Sequence, residues 1–115
     1  MGALVDIDFS SDRLAELCNV RRLAVKAWGP DRAKRLALRL DQLRAAPTLH
    51  HLRTLPGRCH ELKGSLQGRL SIDLDGPYRL LFEPLEEPTP VKEDGGLDWQ
   101  AVTGIRILEI VDTHG

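Results

Sequence analysis

Five basic or titratable side chains in the second half of the chain have the types and spacing to do chemistry. They are His60, Lys63, Arg69, Arg79 and His114. Histidine exchanges protons near neutral pH, while lysine and arginine stabilise a phosphate group, arginine with two-point geometry. RNA cleavage needs a base for the 2′-hydroxyl, an acid for the leaving oxygen, and positive charge around the phosphorane. Metal-independent RNA cleavage without a cofactor is therefore a candidate chemistry.

Each of these residues also has a purely structural interpretation. His60 could be a strand histidine whose hydrogen bonds are satisfied within the sheet, and Lys63 could belong to a turn. His114 could lie beside the C-terminus without a catalytic role. Arg69 and Arg79 could form surface salt bridges. Their candidate partners are Glu61, Asp73 and Asp75. Taken singly, none of the five residues decides between catalysis and structure.

An alternation of apolar and polar residues predicts a β-hairpin that positions these side chains. One set is predicted to face the core: Leu70, Ile72 and Leu74. The alternate set is predicted to face solvent: Arg69, Ser71 and Asp73. The Asp75-Gly76 pair predicts a tight turn, so the returning strand 78–83 places Arg79 near Ser71 or Asp73. Further strands are predicted at 3–9, 58–62 and 105–111, with a turn at 64–68.

The first half of the chain is predicted to be helical after the strand at 3–9. Possible N-caps at 10–12 begin a helix that runs to about Trp28, and Gly29-Pro30 ends it. A second helix follows, with an apolar stripe at Ala33, Leu36, Ala37, Leu40 and Leu43. Pro47 ends this helix, and Thr48 is predicted to cap one more turn to about Arg53. This order predicts an α+β fold with two N-terminal helices on a twisted, mainly antiparallel sheet of four to five strands.

The segment 84–104 is predicted to be a surface excursion, because it is rich in proline and glycine and too long for a hairpin turn. Asp98-Trp99 is predicted to begin a helical turn that packs Trp99 on the body. Charge divides unevenly along the chain. Residues 83–98 contain six acids and one lysine, whereas residues 21–58 contain ten basic residues and two acids. The basic part could attract a phosphate backbone, although charge alone favours the simpler explanation of a solvated helix face.

Length and composition bound the class of protein. With 115 residues, of which 42% are hydrophobic, the chain suits one domain, 1–115, with a single core. No apolar run approaches the roughly 20 residues that span a bilayer, and the N-terminus lacks the basic region of a signal peptide. We therefore expect a cytoplasmic protein without membrane contact. Cys18 and Cys59 lack metal-type spacing and are expected to be free, largely buried thiols.

The segment RCHELKGSLQGRLSIDLDGPYRLLFEP resembles the central signature of the HigB-like branch of the RelE/ParE toxin superfamily. The matching positions are Arg58, His60, Leu62, Lys63, Gly64, Gly68, Tyr78 and Arg79. The ending IVDTHG resembles the aspartate-tyrosine-histidine terminus of that family, with Thr113 in place of the tyrosine. The resemblance covers essentially the whole chain except the excursion at 84–104.

The resemblance implies a type II toxin that cuts mRNA in the decoding site of the ribosome. It also implies a cognate HigA-like antitoxin with a helix-turn-helix domain, through which alone the toxin would meet DNA. His60 and His114 would be the acid and base, and three cations would contact the phosphate: Lys63, Arg69 and Arg79. Ser71 and Asp112 would contact substrate, with Asp112 orienting His114 or a base.

Two alternatives remain open at this level. A ParE-like gyrase inhibitor is disfavoured by the histidine-and-cation set, which ParE-like chains tend to lack. An inactive binding module, retained for antitoxin pairing, is suggested by Thr113, because threonine has neither the ring nor the phenol of tyrosine.

Overall fold

The computed structural model describes residues 4–113. Within that range the chain forms a five-stranded mixed sheet and three α-helices, which confirms the predicted α+β class. The strands are β1 (Asp6–Phe9), β2 (His60–Glu61), β3 (Leu70–Asp73), β4 (Tyr78–Pro84) and β5 (Gly104–Asp112). The helices are α1 (Asp12–Asn19), α2 (Arg21–Trp28) and α3 (Pro30–Ala45). Short 3₁₀ turns lie at Leu49–Thr54, Gly64–Leu66 and Trp99–Ala101.

The sheet has the strand order β1-β5-β4-β3-β2. The β1–β5 pair is parallel and the other pairs are antiparallel, so the prediction of a mainly antiparallel sheet is confirmed. The predicted hairpin is β3–β4, in which Asp73 lies opposite Arg79. The strand predicted at 58–62 is shorter than expected, because only His60 and Glu61 pair with β3.

The prediction of two N-terminal helices was wrong, because the segment 12–28 forms two helices instead of one. Val20 has extended backbone angles, φ −111° and ψ 104°, and separates α1 from α2. The hydroxyl of Ser11 accepts a hydrogen bond from the backbone N–H of Leu14 and caps α1. The break lets the chain turn, so that α2 packs on both α1 and α3.

The core lies between α3 and one face of the sheet. From α3, Leu36, Leu40 and Leu43 are buried, as the helical stripe predicts. From the hairpin, the predicted inward set is buried as well, namely Leu70, Ile72 and Leu74. The turn Leu49–Thr54 adds Leu49 and Leu52 to this core, although the Thr48 side chain does not cap the turn as predicted.

The excursion between β4 and β5 is hydrogen-bonded to the body through Glu61 of β2, and its own two ends are joined through Glu86. The Glu61 carboxylate accepts hydrogen bonds from the Leu97 backbone N–H at 3.1 Å and the Trp99 indole N–H at 3.2 Å. The Glu86 carboxylate accepts from the Thr103 backbone N–H at 2.7 Å and its hydroxyl at 3.0 Å. Trp99 is buried in the core, which confirms the predicted packing of this residue.

Candidate active site on the outer face of the sheet

The sheet face that points away from α3 carries a shallow groove, here called the outer groove. Alternation along β3 and β4 turns Ser71, Asp73, Arg79 and Leu81 to this face, because their neighbours enter the core. The outer groove has a volume of about 330 Å³. Its lining is Leu62, Leu66, Arg69, Ser71, Arg79, Leu81, Glu109, Val111, Asp112 and Thr113.

The outer groove brings together four of the predicted site residues: Arg69, Ser71, Arg79 and Asp112. His60 lies beside it on β2, where its backbone pairs with Ser71. Lys63 lines an adjoining depression of about 310 Å³ instead. The predicted His114 lies outside the described residues.

Ser71 has the predicted direction but not the predicted exposure. Only 4% of its surface is accessible, since it is flanked across the sheet by His60 and Leu81. The expectation that Ser71 faces solvent was therefore wrong, although its side chain still contributes to the floor of the outer groove.

The ring of His60 is held by one main-chain contact. Its Nδ1 lies 2.7 Å from the carbonyl oxygen of Arg58. A carbonyl oxygen can only accept a hydrogen bond, so Nδ1 carries the proton and Nε2 of a neutral ring keeps its lone pair. The side chain is exposed, and because His60 lies directly opposite Ser71 it belongs to the outer face of the sheet. His60 thus has the geometry of a general base.

Arg79 is anchored through two of its three guanidinium nitrogens, Nε and Nη1. Its Nε forms an ion pair with Asp73 Oδ1 at 2.7 Å but not a hydrogen bond, and its Nη1 donates to the carbonyl oxygens of Gly76 and Tyr78 at 3.0 and 2.9 Å. The salt bridge considered as an alternative is therefore present. Within residues 4–113 the other terminal nitrogen makes no such contact, so an anion in the outer groove could bind it.

Asp73 pairs with a second arginine as well. Its Oδ2 lies 2.8 Å from the Nε of Arg58, whose side chain is 71% exposed. The hydrogen bond from Arg58 to Asp73 raises the pKa of the arginine above its ordinary value, and the opposite charge adds to the effect. One carboxylate thus joins Arg58 and Arg79 on the outer face.

Arg69 and Lys63 contribute charge without a structural partner. Both side chains are exposed, and among the residues that the structure describes neither forms an ion pair. Arg69 lines the outer groove together with Glu109, so the groove is of mixed charge. No residue of the segment 85–103 lines it, which keeps the acidic excursion out of the groove itself.

Sequence reasoning missed Arg39, a buried arginine on α3. Its Nε donates to the carbonyl oxygen of Asp73 at 2.8 Å, and its Nη1 donates to that of Pro56 at 3.1 Å. Burial lowers its pKa from the ordinary value. The sequence does contain a signal that could have identified Arg39 as buried. It lies three residues after Leu36 and four before Leu43, on the apolar stripe of α3.

Arg32 was missed as well, because it lies outside the apolar stripe of α3 and nothing in the local sequence points to its partners. Its Nε lies 3.0 Å from Asp75 Oδ1, and its guanidinium carbon lies 3.3 Å from the centre of the Tyr78 ring. Both contacts hold the β3–β4 turn against α3, and this turn also provides a carbonyl that anchors Arg79.

The cysteines are separate from the site. Cys18 and Cys59 are free, as predicted, although both are half-buried. Burial raises the pKa of Cys18 to about 11 and that of Cys59 to about 12, so both remain thiols at neutral pH. In residues 4–113, no cluster of three or more histidine, cysteine or carboxylate side chains is arranged to hold a metal ion.

Over the same described range, the chain contains no helix long and apolar enough to cross a membrane. Comparison with known protein-family models and with curated protein sequences gave no match.

Proposed function

We propose that this protein is the toxin of a type II toxin–antitoxin system and cleaves mRNA on the ribosome. One observation carries the proposal beyond the sequence resemblance. His60, with Nε2 unprotonated, and Arg79, anchored by Asp73, share the outer face around a groove that also contains Arg69. A base and two phosphate-binding cations on one face are what metal-independent RNA cleavage requires.

The proposed reaction is an in-line attack within one nucleotide of RNA. Nε2 of His60 removes the proton of the 2′-hydroxyl, and the resulting oxygen attacks the adjacent phosphorus. The bond to the 5′-oxygen breaks, so that the products are a 2′,3′-cyclic phosphate and a 5′-hydroxyl. The leaving oxygen takes a proton from a general acid. The resemblance to the RelE/ParE superfamily implies His114 for this role.

The cations act on the phosphate. Nη2 of Arg79 stabilises the phosphorane together with Arg69, which forms no ion pair among the described residues, and Lys63 binds a neighbouring phosphate from its adjoining depression. The outer groove is shallow, so it cannot by itself hold a flexible strand in an in-line geometry. The ribosome would supply that constraint, which explains why cleavage should depend on translation.

An antitoxin would neutralise the protein by covering the outer groove. The resemblance implies a HigA-like partner with a helix-turn-helix domain, and the exposed cations at Lys63 and Arg69 suit acidic side chains from such a partner. DNA would then be contacted only through the antitoxin.

The deciding experiment maps cleavage of a translated mRNA in a reconstituted translation reaction. We expect new 5′-ends with the wild-type protein and ribosomes, and none without ribosomes. His60→Ala should lower the cleavage rate by about 10²- to 10⁴-fold, the usual contribution of a general base. The matched control is His51→Ala, another exposed histidine, which should cleave normally. Absence of cleavage by the wild type, or equal rates for the two variants, would refute the proposal.

A second candidate is an inactive module that acts only through antitoxin pairing. It is favoured by Thr113, whose hydroxyl donates to the Pro77 carbonyl oxygen at 2.8 Å and is therefore occupied by the backbone. This candidate predicts that the wild type binds the antitoxin but leaves translated mRNA intact.

A further inference from the structure

Asp73 contacts two parts of the proposed site, the outer groove through Arg79 and the segment before β2 through Arg58. Its side chain is 21% exposed, and its two oxygens pair with different arginines, Oδ1 with Arg79 at 2.7 Å and Oδ2 with Arg58 at 2.8 Å. Arg79 belongs to the groove, whereas Arg58 belongs to the segment that leads into β2. The two sides of the site therefore meet at one carboxylate.

The main chain of Asp73 fixes the same segment. Its N–H donates to the Gly57 carbonyl oxygen at 2.7 Å, and its own carbonyl oxygen accepts from Arg39 at 2.8 Å. Arg39 also donates to the Pro56 carbonyl oxygen at 3.1 Å. At Gly57 a side chain would collide, since a Cβ there would lie 2.9 Å from Ile72 and 3.0 Å from Arg39. Residues 56–58 are consequently packed closely against β3 and α3.

Arg58 has an unusual backbone conformation for a residue with a side chain. Its φ is +49°, in the left-handed region that residues other than glycine seldom adopt. Such a conformation persists only where surrounding contacts hold it, and the ion pair to Asp73 is one of those contacts. It places the Arg58 carbonyl oxygen 2.7 Å from Nδ1 of His60.

We propose that Asp73 is a positioning residue that acts on both reacting groups. Through Arg58 it holds His60 in the tautomer with Nε2 unprotonated, and through its other oxygen it holds Nε of Arg79, so that Nη2 can reach the phosphate. The catalytic consequence rests on the proposed function, whereas the effect on the His60 tautomer does not. The carboxylate itself touches neither substrate nor the reacting atoms.

The substitution Asp73→Asn tests this role with little change of shape. The asparagine keeps both main-chain hydrogen bonds of residue 73, so Gly57 and Arg39 stay anchored to β3 and only the side-chain contact that holds Arg58 is lost. An amide has only one accepting oxygen and no charge, so it cannot pair with both arginines. Asp75→Asn is the matched control, because Asp75 pairs with Arg32 on the other side of the turn.

The first measurement is the tautomer of His60, read by long-range ¹H–¹⁵N NMR at about pH 8.5, where imidazoles are neutral. The His60 signal is assigned with His60→Gln. We expect the Nδ1–H form in the wild type and in Asp75→Asn, and mainly the Nε2–H form in Asp73→Asn. Arg58→Gln, at an exposed side chain, removes the same ion pair and should cause the same change. An unchanged His60 signal in both Asp73→Asn and Arg58→Gln would overturn the proposal.

The second measurement is cleavage kinetics on translating ribosomes. Asp73→Asn should lower kcat by about 10²-fold with little change in KM, since misplacement of reacting groups costs rate more than binding. The double variant Asp73→Asn/Arg79→Lys should lose less than the product of the two single losses. A tautomer change with unaltered kcat would overturn the catalytic half of the proposal. If the wild type does not cleave, the proposed function fails, and the NMR result alone decides whether Asp73 positions His60.

Discussion

Removal of the Arg39 guanidinium group should destabilise the protein substantially, although this residue does not line the outer groove. The side chain is 4% exposed and donates to the carbonyl oxygens of Asp73 and Pro56. Arg39→Met keeps much of the aliphatic stem but leaves both carbonyls without this donor. An unsatisfied buried polar group costs about 1–3 kcal/mol, so two cost about 2–6 kcal/mol.

Part of this cost is offset because a buried charge disappears. Burial lowers the pKa of Arg39, which shows that the folded environment opposes its charged form, and nearby Arg35 lowers it further. A net loss of about 1–4 kcal/mol in the free energy of unfolding remains, equivalent to a fall in Tm of roughly 4–16 °C for a chain of this size.

Urea denaturation followed by circular dichroism measures this loss, with Arg35→Met as the matched control. Arg35 lies on the same helix and is exposed, so its replacement should change the free energy of unfolding by less than about 0.5 kcal/mol. If Arg39→Met lost no more than Arg35→Met, the structural role assigned to Arg39 would be refuted.

Three further predictions concern the site and the thiols. Arg79→Ala should abolish the growth arrest caused by induced expression while Arg106→Ala does not, and equal toxicity of both would contradict the assigned role of Arg79. Thr113→Tyr should raise cleavage of translated mRNA by about tenfold, because a phenol at the groove can share a proton; unchanged or slower cleavage would show that this position is not used. Burial in the folded protein raises the pKa of Cys59 from 9.0 to about 12. The protonated thiol therefore contributes its full stabilisation of the folded state below pH 9.0, and this contribution is lost as the pH rises toward 12. Unfolding midpoints from pH 8 to 11 should accordingly fall less steeply for Cys59→Ala than for the wild type; parallel profiles would exclude this linkage.

The fold was predicted best where the signal was local. The Asp75-Gly76 turn between two alternating segments predicted the β3–β4 hairpin, and the pairing of Asp73 with Arg79 followed from that turn. The apolar stripe of α3 was likewise visible, because helical spacing places Leu36, Leu40 and Leu43 on one face.

The break at Val20 was not predicted, because it contains neither glycine nor proline. A valine at that position is compatible with helix or extended backbone by itself, and the packing of α2 on α3 selects the extended conformation. The hydrogen bonds from Leu97 and Trp99 to Glu61 could not be predicted either, since these residues lie 36 and 38 positions from Glu61 in the sequence.

The sequence by itself determined which side chains share the outer face, because strand parity is a local property of the backbone. It also predicted that His60 and Arg79 lie on that side of the sheet. Only the tertiary structure decided that Ser71 is covered, that Arg39 enters the core, and that Asp73 joins Arg58 to Arg79. These outcomes depend on the distance between elements remote in the chain, and a charge is buried only where such elements bring its partners within reach.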